Sequence, residues 1–299
     1  RYTDVAVTAG GVMYATISSV GTPNKGIFRS TDGATWANIT PATGYPTAYD
    51  RNVIGLAPSN QNVVYFFLNS PAVGKNDHSF FKYTYVSGNG TGAGGAWVNR
   101  SVNLPAYGGS VGNLSQGSYN QFVKVKPDNE NFVVIGSTNV YRSTDAFATT
   151  TNNRWIGGYS PANNVSRYPN HHPDNHSFVF FPATPNTAIS GHDGGISKTT
   201  DITRVATGNE PVLWTQLNNG YITTQAYSVA IDNNTSGDAR IMAGFQDNGK
   251  WYNNTTSTTA VWGEEVAGGD GAFTAIAVSY THLRAHETKA NLVCRLLLE

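Results

Sequence analysis

The sequence has no excess of charge, a single cysteine and no long apolar run. Its 19 Lys and Arg residues balance 19 Asp and Glu residues, which excludes the basic surface expected of a nucleic-acid-binding protein. The one cysteine, Cys294, has no second cysteine with which to form a disulfide within the chain. No apolar stretch approaches the roughly 20 residues of a membrane-spanning helix, so no membrane span is predicted.

The residues that are abundant favour β-structure. Of the 299 residues, 13% are charged, 39% are hydrophobic, 12% are aromatic and 32 are glycine. Such a chain is poor in strong helix formers and rich in residues that form turns and strands. We therefore expect an all-β fold built from many short strands.

A repeat of about 50 residues, the period of a four-stranded propeller blade, runs through the chain. Short apolar runs separated by Pro, Asn and Gly align as five units of four strands each. The first strands are expected at residues 4–8, 53–57, 121–126, 177–181 and 227–231, and a sixth unit begins at 273–278. Stacking such units radially buries their faces and leaves only short edges. The prediction is a partial β-propeller with five four-stranded blades and the first strand of a sixth.

The turns that lead into the fourth strands carry a second repeated signal. Residues 26–36 read GIFRSTDGATW, residues 139–150 read NVYRSTDAFATT, and residues 195–201 read GISKTTD. In such a turn the Asp side chain accepts backbone N–H groups, Gly adopts positive φ, and we expect the Trp that follows to pack between blades. The residues expected to build these turns are Ser30, Asp32, Gly33, Thr35, Trp36, Ser143, Asp145, Thr199, Asp201 and Trp214.

These turns resemble the Asp-box, or bacterial neuraminidase repeat. Together with the segments HPDNH, GHDGGI, GFQDNG and GGDGAF, they resemble the Asp-box propellers of secreted surface proteins of the Bacteroidetes type. The same class includes sortilin-like receptors and xyloglucan-cleaving glycosidases. The resemblance covers about residues 1–278. It implies an extracellular or cell-surface location in a bacterium, a larger multidomain chain, and a scaffold role for the Asp-box turns.

The composition changes after residue 278. The segment SYTHLRAHETKANLVCRLLLE at 279–299 contains no Gly and holds the only cysteine. It resembles translated adapter sequence appended to reading frames from sequencing libraries. We expect a propeller domain at 1–278 and a non-native tail at 279–299, and we exclude the tail from the site. The chain opens at Arg1 without Met, so the native N-terminus is also expected to be missing.

Chemistry is expected on the propeller face opposite the Asp-box turns. The second-to-third hairpin of a blade and the link to the next blade share that face. It gathers polar side chains from the link at 171–176, from the hairpin at 192–195 and from the fifth unit. The candidates for ligand binding are His172, Asp174, His176, His192, Tyr221 and Gln225.

One interpretation of this face is a divalent metal site. His172, Asp174 and His176 alternate along a segment expected to be extended, so their side chains would point the same way, and His192 could add a ligand. The spacing is loose. The prediction is therefore no metal and no other cofactor, with His172, His176 and His192 as the only candidates for ligands.

A second interpretation is a glycosidase in which two of Asp193, Asp247 and Asp270 act as acid and base. Inverting chemistry needs two carboxyl groups roughly 6.5–9.5 Å apart, one of them with a raised pKa. The resemblance to xyloglucan-cleaving enzymes implies a catalytic Asp in an Asp-x-Gly-Gly hairpin. Asp193 is followed directly by Gly194 and Gly195 and lacks the intervening residue.

A third interpretation is structural: the Asp-Gly sequences form turns and the histidines satisfy loop carbonyl groups. This interpretation still allows the loop face to bind a ligand, because propeller faces are concave and loops carry function. The favoured prediction is a binding or scaffold module for a polysaccharide or a protein. The alternative is a glycoside hydrolase.

Overall fold

Twenty β-strands in five four-stranded antiparallel sheets make up the described part of the protein. The computed structural model describes residues 3–73, 77–105, 116–161, 166–206, 208–221, 223–232, 236–255, 257, 262–266 and 268–276. The chain forms two compact units, Arg1–Asn219 and Gly220–Glu299. The expected tail at 279–299 lies outside the described residues. Across the described ranges, no helix is long and apolar enough to span a membrane.

The first unit contains four sheets, each a meander of strands in chain order. The first sheet comprises β1 (Thr3–Val7), β2 (Met13–Ile17), β3 (Gly26–Ser30) and β4 (Ala37–Asn38). The second comprises β5 (Asn52–Leu56), β6 (Val63–Asn69), β7 (His78–Tyr85) and β8 (Gly95–Asn99). The third comprises β9 (Phe122–Lys126), β10 (Asn129–Gly136), β11 (Val140–Ser143) and β12 (Asn153–Gly157). The fourth comprises β13 (Asn175–Phe181), β14 (Thr184–His192), β15 (Gly195–Thr199) and β16 (Thr215–Gln216). Short 3-10 turns lie at Gly92–Gly94 and Ser101–Asn103.

The second unit contains the fifth sheet. It comprises β17 (Ala226–Ile231), β18 (Ile241–Phe245), β19 (Lys250–Asn253) and β20 (Gly263–Val266). Residues 273–276 form no strand, although the Thr274 N–H donates to Ser228 Oγ in β17 over 2.8 Å. The predicted first strand of a sixth unit is therefore absent from its described part, and residues 277–278 lie outside the described ranges.

The all-β prediction and the five four-stranded repeats are confirmed. Each observed first strand begins within two residues of its predicted start, because the apolar runs are bounded by Pro, Asn and Gly turns that end a strand. The largest difference is at β13, which begins at Asn175. The two residues added at its N-terminus carry part of the site described below.

In the first unit the sheets stack face to face in chain order. One core cluster joins the first and second sheets through residues such as Tyr14 and Phe81. A second cluster joins the second and third sheets, and a third joins the third and fourth through Phe122 and Phe178. Strand β6 is buried along its whole length, because both faces of its sheet are covered. Each fully buried aromatic side chain in these core clusters stabilises the folded state by about 2–3 kcal/mol.

The tryptophans that mark the fourth strands occupy different environments. Trp214 is 4% exposed, and its indole N–H donates to the Ile156 carbonyl in the third sheet over 2.6 Å. Trp36 is 38% exposed, and its N–H donates to Gly33 O within its own turn. Packing between sheets is therefore observed for Trp214, whereas the expectation was wrong for Trp36, whose ring folds back over the turn.

The first Asp turn is organised by one carboxylate. Asp32 Oδ1 accepts the N–H groups of Ala34 and Thr35 over 2.9 and 2.7 Å, and also the hydroxyl of Ser30. The Thr35 and Ala34 N–H groups hold the pKa of Asp32 below its usual value. Gly33 adopts φ 76°, which an L side chain rarely tolerates.

In the turns at Asp145 and Asp201 the Asp carboxylate is again the hydrogen-bond acceptor, but the donors differ. Asp145 accepts the backbone N–H of Ala148 and the side chains of Ser143, Thr149 and Asn152. Two non-glycine residues, Ala146 and Phe147, adopt positive φ in this turn. Asp201 Oδ1 accepts the N–H and hydroxyl of Thr203, and the Asp201 N–H donates to Thr199 Oγ1 over 3.3 Å.

Arginine side chains tie each of these two turns to the preceding sheet. Arg100 donates to the carbonyl groups of Asp145 and Ala146 over 3.0 and 2.8 Å. Arg142, which is 1% exposed, donates to the carbonyl groups of Ile202 and Arg204. Burial lowers the pKa of Arg142 to about 10. The sequence analysis did not identify these contacts between sheets.

Candidate functional site

The densest polar cluster of the first unit lies where the link before β13 meets the β14–β15 hairpin. Asn170 and Asp174 adopt φ 55° and 59° in this link. These left-handed conformations interrupt the extended backbone that the sequence analysis expected for residues 172–176. The predicted alternation of His172, Asp174 and His176 was therefore wrong, because it requires an uninterrupted strand.

The hairpin is closed by the pairing of His192 with Gly195. Gly195 adopts φ 110°, and a side chain there would collide with the amide of Asn218. That amide donates to Gly194 O over 2.7 Å and accepts the Ile196 N–H over 2.9 Å. Asn218 therefore fixes the backbone from which Asp193 projects.

A backbone bond joins the link to the hairpin. The Asp193 N–H donates to Asp174 O over 3.1 Å. Asp174 and Asn175 in turn donate their N–H groups to the carbonyl groups of Thr138 and Ser137 in the third sheet. The positions of Asp174, His176 and Asp193 are thus set by tertiary contacts between two sheets.

The exposed part of this cluster contains an imidazole, a carboxylate and an aromatic ring. His176 Nε2 lies 2.6 Å from Asp193 Oδ1, and both side chains are well exposed. The ring of Tyr119 stands edge-on to the His176 ring at 5.2 Å between centroids. Tyr119 is 61% exposed, and its carbonyl accepts the guanidinium of Arg51 over 2.5 Å.

Asp174 lies beside this exposed group and is half-buried. Its Oδ1 accepts the amide of Gln116 over 2.8 Å and the amide of Asn120 over 3.0 Å. Asn120 is held by the Ser137 hydroxyl, which donates to its Oδ1 over 2.9 Å. Burial, followed by the neighbouring Asp193 carboxylate, raises the pKa of Asp174.

Two imidazoles lie below the surface. His171 is 2% and His192 is 6% exposed, and their ring centroids are 4.7 Å apart. Burial and the His192 ring hold the pKa of His171 well below its usual value. Burial and the neighbouring His172 lower the pKa of His192 to about 4. Both imidazoles are therefore neutral at pH 7.

The candidate residue His172 packs against the hairpin. Its Nδ1 lies 2.9 Å from Pro173 O, and its ring lies so close to Gly194 that a Cβ there would approach it within 2.6 Å. His172, His176 and His192 are not gathered as a set of metal ligands. No group of three or more His, Cys, Asp or Glu residues that could hold a metal occurs within the described ranges.

The remaining candidates lie in the second unit. Asp270 Oδ1 accepts the Asp247 N–H over 3.2 Å and lies 3.4 Å from the Tyr227 hydroxyl. The Asp270 carboxylate therefore caps the turn in which Asp247 adopts φ 54°. Tyr221 is 57% exposed. The Gln225 carbonyl accepts the Gln246 N–H, and its side chain is exposed.

Three residues of the cluster were missed by the sequence analysis. Gln116, Tyr119 and Asn120 precede β9 and contact Asp174 or His176. A signal was present, since an asparagine stands near the start of both strands, Asn120 just before β9 and Asn175 at the first position of β13, and each Oδ1 accepts a serine hydroxyl. The tertiary contact between the two links was needed to show that their side chains meet.

Comparisons with known proteins identify the fold. The sequence matches no protein-family model and no curated protein. The structure is similar to the GH74 xyloglucanase from Xanthomonas campestris, with a TM-score of 0.50, 16% identity, and coverage of 82% of this chain and 34% of that chain. An ancestral GH74 enzyme aligns with a TM-score of 0.46 and 17% identity over 83% of this chain and 33% of that chain. YCF48 from Cyanidioschyzon merolae aligns with a TM-score of 0.29 and 10% identity over 90% of this chain and 92% of that chain. The chain spans about a third of the length of the two GH74 proteins, and at these identities the similarity to the xyloglucanase shows a β-propeller fold.

Proposed function

We propose that this β-propeller chain is a binding module for carbohydrate. The binding face consists of residues 116–120, 171–176 and 193–194. The observation that supports this proposal most directly is the exposed ring of Tyr119, which stands beside the hydrogen-bonded His176 and Asp193. An aromatic ring next to fixed polar groups is the combination expected of a binding site.

Sugars have apolar C–H faces and several hydroxyl groups. The Tyr119 ring provides an amphipathic surface for a C–H face. Asp193 and His176 provide an acceptor and a ring nitrogen for hydroxyl groups, and Gln116 and Asn120 hold Asp174 in place. Because these groups are fixed by contacts within the protein, little side-chain freedom is lost on binding.

The charge of the binding face favours a neutral polysaccharide. Asp193 lies close enough for its carboxylate to raise the pKa of Asp174. A sugar with its own carboxylate would add a third negative charge and would be repelled. Neutral glucans, including xyloglucan, are therefore the first ligands to test. Tyr221 and Gln225, which are exposed in the second unit, are proposed separately as ligand contacts of that unit.

We also propose that the module acts outside the cell or at a bacterial cell surface, within a larger chain. The partial coverage of the GH74 proteins supports the larger chain.

Affinity electrophoresis through gels containing neutral polysaccharides tests the binding proposal. Tyr119→Ala and Asp193→Ala should each weaken binding about 10-fold, equivalent to about 1.4 kcal/mol. Val205→Ala is the matched control, because Val205 is 82% exposed and follows the Asp201 turn away from the binding face. Equal retardation of the wild type and the three variants would refute the proposal. So would the absence of retardation of the wild type by every neutral glucan tested.

A second candidate function is glycoside hydrolysis. Asp174 has a raised pKa and is half-buried, whereas the adjacent Asp193 is exposed and paired with His176. Two carboxyl groups with different environments can divide the roles of acid and base. Release of reducing ends from the polysaccharide that binds, abolished by Asp193→Asn and by Asp174→Asn, would establish the enzyme. Binding without product release supports the binding module alone.

A further inference from the structure

The buried His171 and His192 rings pack against each other, with 4.7 Å between their centroids. His171 Nδ1 accepts the Gly158 N–H over 3.0 Å, so the ring proton of His171 is on Nε2. The Ser197 hydroxyl donates to Asn170 O over 2.7 Å. His192 Nε2, which lies 2.8 Å from Ser197 Oγ, must therefore donate to that oxygen and carries the ring proton of His192.

This assignment leaves one donor and one acceptor without partners. His171 Nε2 and His192 Nδ1 are both buried and make no hydrogen bond. The first is an N–H donor and the second a bare nitrogen, and the two rings are 4.7 Å apart. A proton added to His192 Nδ1 would place a positive charge on a buried ring that packs against His171. A proton added to His171 Nδ1 would break its bond with Gly158.

We infer that His171 and His192 form an acid-sensitive latch, which holds the link 171–176 against the hairpin 192–195 when both rings are neutral and releases it when they are protonated. This inference goes beyond the proposed binding and does not depend on the ligand. Because Asp174, His176 and Asp193 lie on the link and the hairpin, release of the latch would disperse the binding face. The latch would make the face sensitive to acid.

The ionisable groups around the latch do not neutralise an added charge. His172 and His176 oppose protonation of His192, and Asp193 favours it. The Asp193 carboxylate is exposed and already lies 2.6 Å from His176 Nε2. Asp174 is half-buried and has a raised pKa, so its negative charge is also reduced in acid.

The size of the effect follows from linkage. The pKa of His192 is about 4 in the closed state and about 6.5 in a released, solvated link. A lowered pKa on a base makes closure most stable above about pH 6.5 and progressively less stable as the pH falls toward 4. At pH 5 the released state gains about 30-fold in population from His192 alone, compared with pH 8. His171 shifts in the same direction.

Hydrogen exchange of the whole chain at pH 8 and pH 5, corrected for the intrinsic exchange rate, measures this release. Peptides that contain Gly158 and Asp193 should exchange about 30-fold faster or more at pH 5, while the peptides of the second sheet remain protected. In His192→Asn the acceleration should be smaller than in the wild type by up to about 30-fold, because the contribution of His192 is lost and only His171 still titrates. His171→Asn provides a second test if His192→Asn fails to fold.

His78→Asn is the matched control, because His78 is also buried, at 2%, but lies in the second sheet against Phe67. This variant should retain the full acceleration at residues 158 and 193. The inference is overturned if the wild-type protein shows no local acceleration at pH 5. It is equally overturned if amide exchange in His171→Asn and His192→Asn accelerates at pH 5 as much as it does in the wild type.

Discussion

Replacing Phe178 by Ala should destabilise the first unit strongly, because this side chain joins the third and fourth sheets. Phe178 is 1% exposed. Its ring stacks on Phe122 at 5.6 Å and lies edge-on to Phe180 at 5.2 Å and to Trp214 at 6.3 Å. Truncating a buried Phe to Ala costs about 3–5 kcal/mol through lost transfer energy and the cavity that remains.

The neighbouring residue gives a matched control on the other face of the same strand. Val179 is 57% exposed, so Val179→Ala should cost less than about 1 kcal/mol. Urea unfolding followed by circular dichroism would measure the free energy of unfolding of both variants. In a thermal melt, a loss of 4 kcal/mol would lower the Tm by roughly 8–16 °C for a unit of this size. A larger effect for Val179→Ala than for Phe178→Ala would refute the face assignment of β13, since a shift of one residue in register exchanges the two faces.

Three further substitutions, with Tyr83→Phe as a control for one of them, test polar and steric contacts, each by urea unfolding. Asp145→Asn should cost about 2 kcal/mol at pH 7 through lost bonds to a charged acceptor. That difference should shrink as the pH falls below about 4, because the pKa of Asp145 is lowered in the folded protein. The stability contributed by such an acid is complete above its unfolded-state pKa and is lost as the pH falls through its folded-state pKa. Tyr168→Phe should cost about 2–4 kcal/mol, since its hydroxyl both donates to the carbonyl and accepts the N–H of the buried Val212. Tyr83→Phe, which loses a single bond, should cost about 1 kcal/mol. Gly157→Ala should cost about 1–3 kcal/mol, because its Cβ would come within 2.7 Å of the His171 ring.

Each of these outcomes has a contrary result. A pH-independent difference between Asp145→Asn and the wild type would show that the Asp145 charge does not stabilise the turn. Equal losses for Tyr168→Phe and Tyr83→Phe would contradict the double role of the Tyr168 hydroxyl. An unchanged midpoint for Gly157→Ala would show that His171 is free to move.

The strand pattern could be predicted because it depends on local chemistry. β5 was predicted within one residue of its observed bounds, since Pro58 in the following turn ends the apolar run. β13 was predicted too short. Its first two residues, Asn175 and His176, are polar: Asn175 pairs with His192 of the hairpin, and His176 lies in the irregularity that follows.

The candidate site could be predicted only in part. The sequence placed Asp174, His176 and Asp193 on one face, and the structure brings these three residues together. It did not indicate that His192 is buried or that His172 packs on Gly194. His172 lies in a link with a left-handed residue, to which the alternation of a strand does not apply, and His192 is covered by the His171 and His172 rings of that link.

Sequence alone determined the repeat, the four-stranded sheets and the Asp turns, because hydrophobic period, turn residues and side-chain capping act over a few neighbouring positions. Only the tertiary structure decided that Tyr119 meets His176, that Arg142 joins two sheets, and that the buried His171 and His192 rings pack together. Each of those contacts joins residues more than 20 positions apart, and they depend on how the sheets pack rather than on what each segment prefers.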